Sequence, residues 1–128
     1  MTNSKPRLTS LPAWQKLKDH YVQISGQHMR DLFASQPSRF DDFSIAWDDF
    51  FLDYSKNRIT RETMKLLVEL ARECGVPEAT ERMFRGEKIN NTENREVLHT
   101  ALRCDVDKPY LIASGEDIMP EISRELDK

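Results

Sequence analysis

Gly86-Glu87-Lys88-Ile89-Asn90-Asn91-Thr92-Glu93-Asn94-Arg95-Glu96-Val97-Leu98-His99-Thr100-Ala101-Leu102-Arg103 is the stretch on which the reading of this chain turns. Val97, Leu98, Ala101 and Leu102 fall on one face at helical spacing, which predicts a helix with those four side chains buried. Asn91 or Thr92 would start it, since either side chain accepts from the free amides of a first helical turn. Arg95, His99 and Arg103 are four apart and form an adjacent stripe suited to charged bonds with a neighbouring segment. His99 reads there as a hydrogen-bonded structural imidazole.

Upstream, Glu87 to Asn91 form a polar linker after a short helix that Pro77 begins and Gly86 ends. Before it, Thr60 caps a strong helix in which Met64, Leu67, Val68 and Ala71 follow the i, i+3, i+4, i+7 pattern, widened by Leu66, Leu70 and Cys74. Phe40 to Tyr54 holds six of the chain's eleven aromatics, interleaved with Asp41, Asp42, Asp48, Asp49 and Asp53. Phe40 and Phe43 suit a helical turn, and Phe50 to Tyr54 suits a strand with at least one face buried. Trp14, Leu17, Tyr21, Ile24, His28 and Leu32 predict one long amphipathic helix from Ser10, its cap, to just before Pro37. Gly26 inside it implies a close packing contact. Residues 1–10 read as a flexible arm.

Downstream, Tyr110 to Ala113 reads as a short strand and Ser114-Gly115 as a turn. Asp117 would cap a last helix with Pro120 in its first turn, and Ile118, Ile122 and Leu126 give it an apolar face that has only just begun. No closing signal follows. A cut inside a longer protein, made within this helix, is therefore expected.

At 128 residues one core is the limit, and 19 Lys plus Arg against 22 Asp plus Glu leave a net charge of −3. Such a balance disfavours partners that are nucleic acid or an anionic membrane. Charged residues at 32% and hydrophobic ones at 38% predict a folded chain with a thin core. No apolar run approaches membrane-spanning length and the start lacks a signal-like segment, so a cytoplasmic location is expected. Cys74 and Cys104 read as small buried thiols.

The candidate chemistries are thin. Gly26, Gly75, Gly86 and Gly115 are scattered, which leaves no phosphate loop. His20 and His28 could share a helix face but lack a third metal ligand. Asp41-Asp42 and Asp48-Asp49 are adjacent pairs that cannot face each other across a cleft, so a solvated acidic loop is expected. Arg82, Arg85, Lys88, Arg95 and Arg103 interleave with Glu81, Glu87, Glu93 and Glu96, which suits salt-bridged packing better than a basic stripe.

The quoted stretch closely resembles a signature of the glucose-6-phosphate isomerase family, G-E-K-I-N-x-T-E-x-R-x-V-L-H-x-A-L-R. Gly86, Glu87, Lys88, Ile89, Asn90, Thr92, Glu93, Arg95, Val97, Leu98, His99, Ala101, Leu102 and Arg103 fill every fixed position. Asp53-Tyr54-Ser55-Lys56-Asn57 and Gly115-Glu116-Asp117-Ile118-Met119-Pro120-Glu121 resemble flanking blocks, so that the likeness runs over residues 11–128. The resemblance implies an α/β fold, helix-rich with short strands here, as the N-terminal part of a two-domain, three-layer α/β/α sugar isomerase that works as a homodimer. It implies interconversion of the sugar phosphates D-glucose 6-phosphate and D-fructose 6-phosphate through a cis-enediol, without cofactor or metal. It places the catalytic groups in motifs beyond residue 128, so that no catalytic residue is expected here and the signature residues serve as scaffold. A second reading is a noncatalytic helical interaction module that docks a partner on Phe40 to Tyr54.

Overall fold

A computed structural model describes residues 6–128 and divides into two units, Met1–Cys74 and Gly75–Lys128. The expected arm lies outside the described residues over positions 1–5; of its remainder, Leu8–Ser10 form a 3-10 turn.

The first unit is built on helix α1, Pro12–Ile24, packed against helix α4, Arg61–Glu73. Ser10 does not cap α1; its hydroxyl bonds Arg7 O at 2.7 Å, and Leu11 occupies the cap position. The cap comes from α4, where Glu73 Oε2 accepts the Ala13 amide at 3.0 Å and sets a carboxylate at the positive end of the helix. Thr60 caps α4 as the sequence suggests, in a reciprocal box with Thr63. His20 of α1 bonds Thr63 Oγ1 through Nε2 at 2.7 Å and is buried. The inward face of α4 is consequently Thr63 and Leu66, while Leu67, Val68 and Cys74 are exposed, against expectation.

The long first helix is also broken. It stops at Ile24, and helix α2, Met29–Ser35, begins after a turn in which His28 Nδ1 accepts the Arg30 amide at 3.2 Å. Gly26 costs a helix interior about 1 kcal/mol relative to Ala, and the side-chain cap gives the backbone a better alternative. Nothing packs within 4 Å of the position that a Cβ on Gly26 would take, so the expected close contact is absent.

Helix α3, Arg39–Asp42, supplies the predicted turn and an unexpected centre. Arg39 is fully buried. Its Nε donates to Ser55 O at 2.9 Å, and its Nη2 donates to Asn57 O at 2.7 Å and Ile59 O at 3.0 Å. The guanidinium lies 4.6 Å from the Phe43 ring centre and 5.6 Å from that of Phe33. Asp42 is no solvated loop carboxylate: Arg61 Nη2 reaches both its oxygens at 2.7 Å, and Ser38 and Gln36 add hydrogen bonds to Oδ2.

Strand β1, Ser44–Trp47, is missing from the sequence reading and pairs antiparallel with β2, Phe50–Asp53, through a two-residue turn. Every residue of β2 is exposed, so the expected buried face is absent within this unit.

The second unit begins at Gly75, left-handed with φ 72°, followed by helix α5, Val76–Phe84. The helix expected after Asn91 does not form; only a 3-10 turn, Ala101–Arg103, appears. Nor is Tyr110 to Ala113 a strand, since a single bridge joins Leu111 to Asp117. Asp117 Oδ1 instead accepts the amides of Tyr110 and Met119, tying this segment to helix α6, Met119–Leu126, whose cap position is Ile118. Ile118 and Ile122 are buried with Ala101, Ile112 and Met119 in one cluster. The apolar face thought to be open therefore closes within the unit, and only Leu126 remains exposed. Cys104 is exposed, its thiol on Thr100 O at 3.3 Å, not buried. The chain is helix-rich with one two-stranded sheet, consistent with the α/β class. Among the described residues no helix is long and apolar enough to cross a membrane.

Replacing Arg39 by Leu strips the donors from three backbone carbonyls, each costing about 1–3 kcal/mol when left unpaired, so a loss of about 3 kcal/mol or more is expected in urea denaturation. Arg39→Lys should recover only part, since one ammonium cannot reproduce the fork. Asp42 yields a pH test. Hydrogen bonds from Arg61, then Ser38 and Gln36, hold its pKa down to about 2 from 3.8. A depressed folded pKa means that the contribution is present above 3.8 and lost as the pH falls toward about 2. Asp42→Asn should flatten that part of the stability profile; an unchanged acid limb would remove this carboxylate from the account.

Candidate functional site

The signature segment is folded by side chains that grip backbone. Gly86 has φ 61°, and a Cβ there would lie 2.5 Å from Ile112 Cγ2 and 3.0 Å from Ile112 Cα. Only glycine combines that left-handed angle with so close an approach. Glu87 then turns back onto α5, with Oε2 on Arg82 Nε at 2.8 Å and Oε1 on Arg85 Nη2 at 3.0 Å. The hydrogen bond from Arg82 is the main cause that holds its carboxyl below the usual glutamate range.

Asn90 explains why no helix follows. Its Oδ1 accepts the amides of Thr92 and Glu93, both at 3.2 Å, and its backbone exchanges two hydrogen bonds with Arg95, at 3.1 and 3.3 Å. Asn94 takes φ 51° to close the loop. The Asn side chain satisfies the amides that a helix would leave free, and a competing turn wins over the apolar periodicity. Arg95 pairs with Glu93, and Asn90 Nδ2 also donates to Glu93. Lys88, Thr92 and His99 are exposed, Ile89, Val97 and Leu98 half-buried, Ala101 buried and Leu102 exposed. The predicted buried face of four thus survives in full only at Ala101. His99 is not in a helical stripe; its carbonyl accepts Arg103 Nη1 at 3.0 Å. Thr100 Oγ1 meets Tyr110 Oη at 2.7 Å, and that phenol donates to Phe84 O at 2.9 Å, a link absent from the sequence reading.

The same segment lines an open depression of about 410 Å³ with Asn90, Arg95, Glu96, Val97, Leu98, His99, Leu102 and Ile122. Arg95, Glu96 and His99 are brought to one rim, whereas Gly86 to Ile89, Thr92, Glu93, Ala101 and Arg103 do not line it. Val97, Leu98, Leu102 and Ile122 make half of the lining, and none of the lining residues is a serine, threonine, cysteine or lysine. The arrangement is a supporting one: polar groups close turns, and Leu98 and Ala101 join the Ile112, Ile118, Met119 and Ile122 cluster.

The chain that carries this glycine turn and Asx-closed loop has known relatives. Residues 53–128 match the phosphoglucose isomerase family, and the chain belongs to it. It is 51% identical over 123 residues to a glucose-6-phosphate isomerase of Methylococcus capsulatus, which covers 96% of this chain and 22% of that protein. Glucose-6-phosphate isomerase 1 of Chromobacterium violaceum is 52% identical over 121 residues, covering 94% and 22%, and the enzyme of Deinococcus radiodurans is 49% identical over 122, covering 95% and 22%. The chain thus spans about a fifth of the length of the curated relatives it matches.

Gly86→Ala meets both backbone strain and overlap with Ile112, whereas Gly115→Ala, at φ 85° with nothing within 4 Å, meets strain alone. The first should cost about 1–3 kcal/mol more than the second in thermal denaturation, the magnitude of overpacking. Equal losses would show that Ile112 moves aside without cost.

Proposed function

We propose that this chain is part of a glucose-6-phosphate isomerase, which interconverts D-glucose 6-phosphate and D-fructose 6-phosphate, and that residues 11–128 serve that enzyme as scaffold. The observation that carries the reading is identity of about one half to enzymes of that name over nearly the whole chain. The site geometry supports the scaffold role: Gly86 approaches Ile112, Asn90 holds backbone amides, Ala101 is buried in the core, and Glu87 pairs with Arg82 and Arg85. In the enzyme a proton passes between two sugar carbons through an enediol, which needs a base beside the acidic C–H and donors facing the oxyanion. Those groups, the phosphate-binding loop, the two-domain α/β/α architecture, the homodimer and the cytoplasmic location belong to the enzyme as a whole and are part of the proposal. The relatives' names give no support to the noncatalytic module.

Two measurements test it. The 128-residue chain alone should give no turnover of fructose 6-phosphate in an assay coupled to glucose 6-phosphate oxidation. Grafted in place of the matching stretch of the Methylococcus capsulatus enzyme, residues 6–128 should return a folded isomerase within about tenfold of the parent kcat/KM, a loss of no more than about 1.4 kcal/mol in transition-state stabilisation. A folded but inactive chimera would overturn the assignment.

A further inference from the structure

The hairpin of the first unit carries one face that nothing in that unit covers. The pairing sets Trp47 opposite Phe50 and Ile45 opposite Leu52. Side chains opposite each other share a face, so these four form a continuous apolar surface. They are 74%, 73%, 53% and 58% exposed respectively, and Trp47 stacks on Phe50 with ring centres 6.0 Å apart. The opposite face is served locally, since Phe51 packs on Phe40 at 5.8 Å. A two-stranded hairpin left to itself is marginally stable in water at best, and large apolar side chains gathered on one face mark an interaction surface.

The size of the face decides what kind of cover it fits. About 500 Å² would be covered, reckoning about 200 Å² for each large side chain and its exposed share. That is well below the roughly 800 Å² a side of standard stable complexes, and a separate molecule would also lose its translational and rotational freedom on docking. Charge offers no compensating guide for a second copy. Asp48 and Asp49 stand exposed at the tip, and around the base exposed Asp41 and Asp53 are mixed with exposed Lys56 and Arg58, so the two ends are not opposite in sign. A segment of the same polypeptide loses no such freedom, because tethering holds it at an effective concentration of the order of millimolar, where a small apolar face suffices. This chain spans 22% of the isomerases it matches, so about four-fifths of such a polypeptide is available as tethered cover.

We propose that the face of Ile45, Trp47, Phe50 and Leu52 is an internal docking face, covered in the complete isomerase by an apolar, uncharged surface of the same polypeptide drawn from the four-fifths outside these residues. The inference rests on the isomerase reading. The stacked pair of Trp47 and Phe50 is its anchor, as the largest and most exposed part of the face. The covering surface is uncharged because a carboxylate or ammonium set against these four side chains would lose its water and gain no partner.

Leu52→Cys reads the cover directly when compared in the 128-residue chain and in the chimera with the Methylococcus capsulatus enzyme, the modified peptide being followed by mass spectrometry. In the chain the new thiol should react with iodoacetamide as fast as the exposed Cys74 and Cys104, at every concentration from about 1 µM to about 500 µM. In the chimera it should react about a hundredfold more slowly, since labelling then waits for a local opening, and dilution should not restore the rate. Trp47→Lys should leave the denaturation midpoint of the chain unchanged, yet stop the chimera from folding or speed its heat inactivation by about tenfold or more. Trp47→Ala, a milder change, should give the faster inactivation in a chimera that still folds. The unsubstituted chimera tests the isomerase assignment by its activity. An active chimera in which Leu52→Cys labels as fast as in the chain overturns the inference and leaves that assignment standing, whereas a folded, inactive chimera removes both. Protection already present in the dilute chain, which would place the cover in its own second unit, overturns the inference. So does protection that grows with the concentration of the chain or fades from the chimera on dilution, either of which would place the cover in a second copy.

Discussion

The guanidinium of Arg39 holds together the part of the first unit that has little regular structure of its own. Three carbonyls, of Ser55, Asn57 and Ile59, converge on it, and two aromatic rings close its faces. A buried cation without a carboxylate is costly unless its hydrogen bonds are met. Here backbone dipoles stand in for the anion at Nε and Nη2, while the buried Nη1 has no hydrogen-bond partner, and the energetic demand of the arginine becomes a constraint on the chain. The segment linking β2 to α4 must bend so that alternate carbonyls point inward. That bend delivers Thr60 and Thr63 to the start of α4, where they meet each other and His20. The α1–α4 pairing is thus continuous, through short polar links, with a charge buried against Phe33 and Phe43.

What was legible in the sequence divides along a physical line. Elements decided by contiguous local chemistry were readable: the Thr60 start of α4, the Gly75 and Pro77 boundary before α5, the turn at Arg39–Asp42 and the start of α6 near Pro120. Those decided by one polar side chain competing with periodicity were not. His28 and Asn90 each satisfy amides that the apolar pattern had assigned to a helix, and the pattern loses at both places. Burial fared worse than element type, because Leu67, Val68, Leu102 and both cysteines carry apolar character on surfaces that the units leave open. The family was legible in full from the density of one motif. The role of its residues was not: nothing in the spacing of Asn90 and Arg95 announces a reciprocal bridge.

The two units solve the problem of a thin core differently. The first relies on paired helices and a buried cation, and Leu66, Phe43, Leu32, Leu11 and Ala13 are its buried apolar residues. The second gathers Ala101, Ile112, Ile118, Met119 and Ile122, with much of its chain passing through turns. In it, Asn90, Asp117 and Tyr110 stand in for the ladders that regular elements would have provided.

That substitution bears on motion. In a helix each amide is shielded by its neighbours, and opening one exposes little unless several open together. Between Glu87 and Cys104 many amides depend on a single acceptor, such as Asn90 Oδ1 for two consecutive residues. Rupture of that one side-chain contact frees the Asn91–Asn94 turn while Glu87 stays on α5 and Ala101 in the cluster with α6, a unit of local unfolding far smaller than the cooperative fold. The most recognisable stretch of this sequence thus has at its centre a turn whose amides at Thr92 and Glu93 are held by one side-chain oxygen, where a helix would have shielded them with its neighbours.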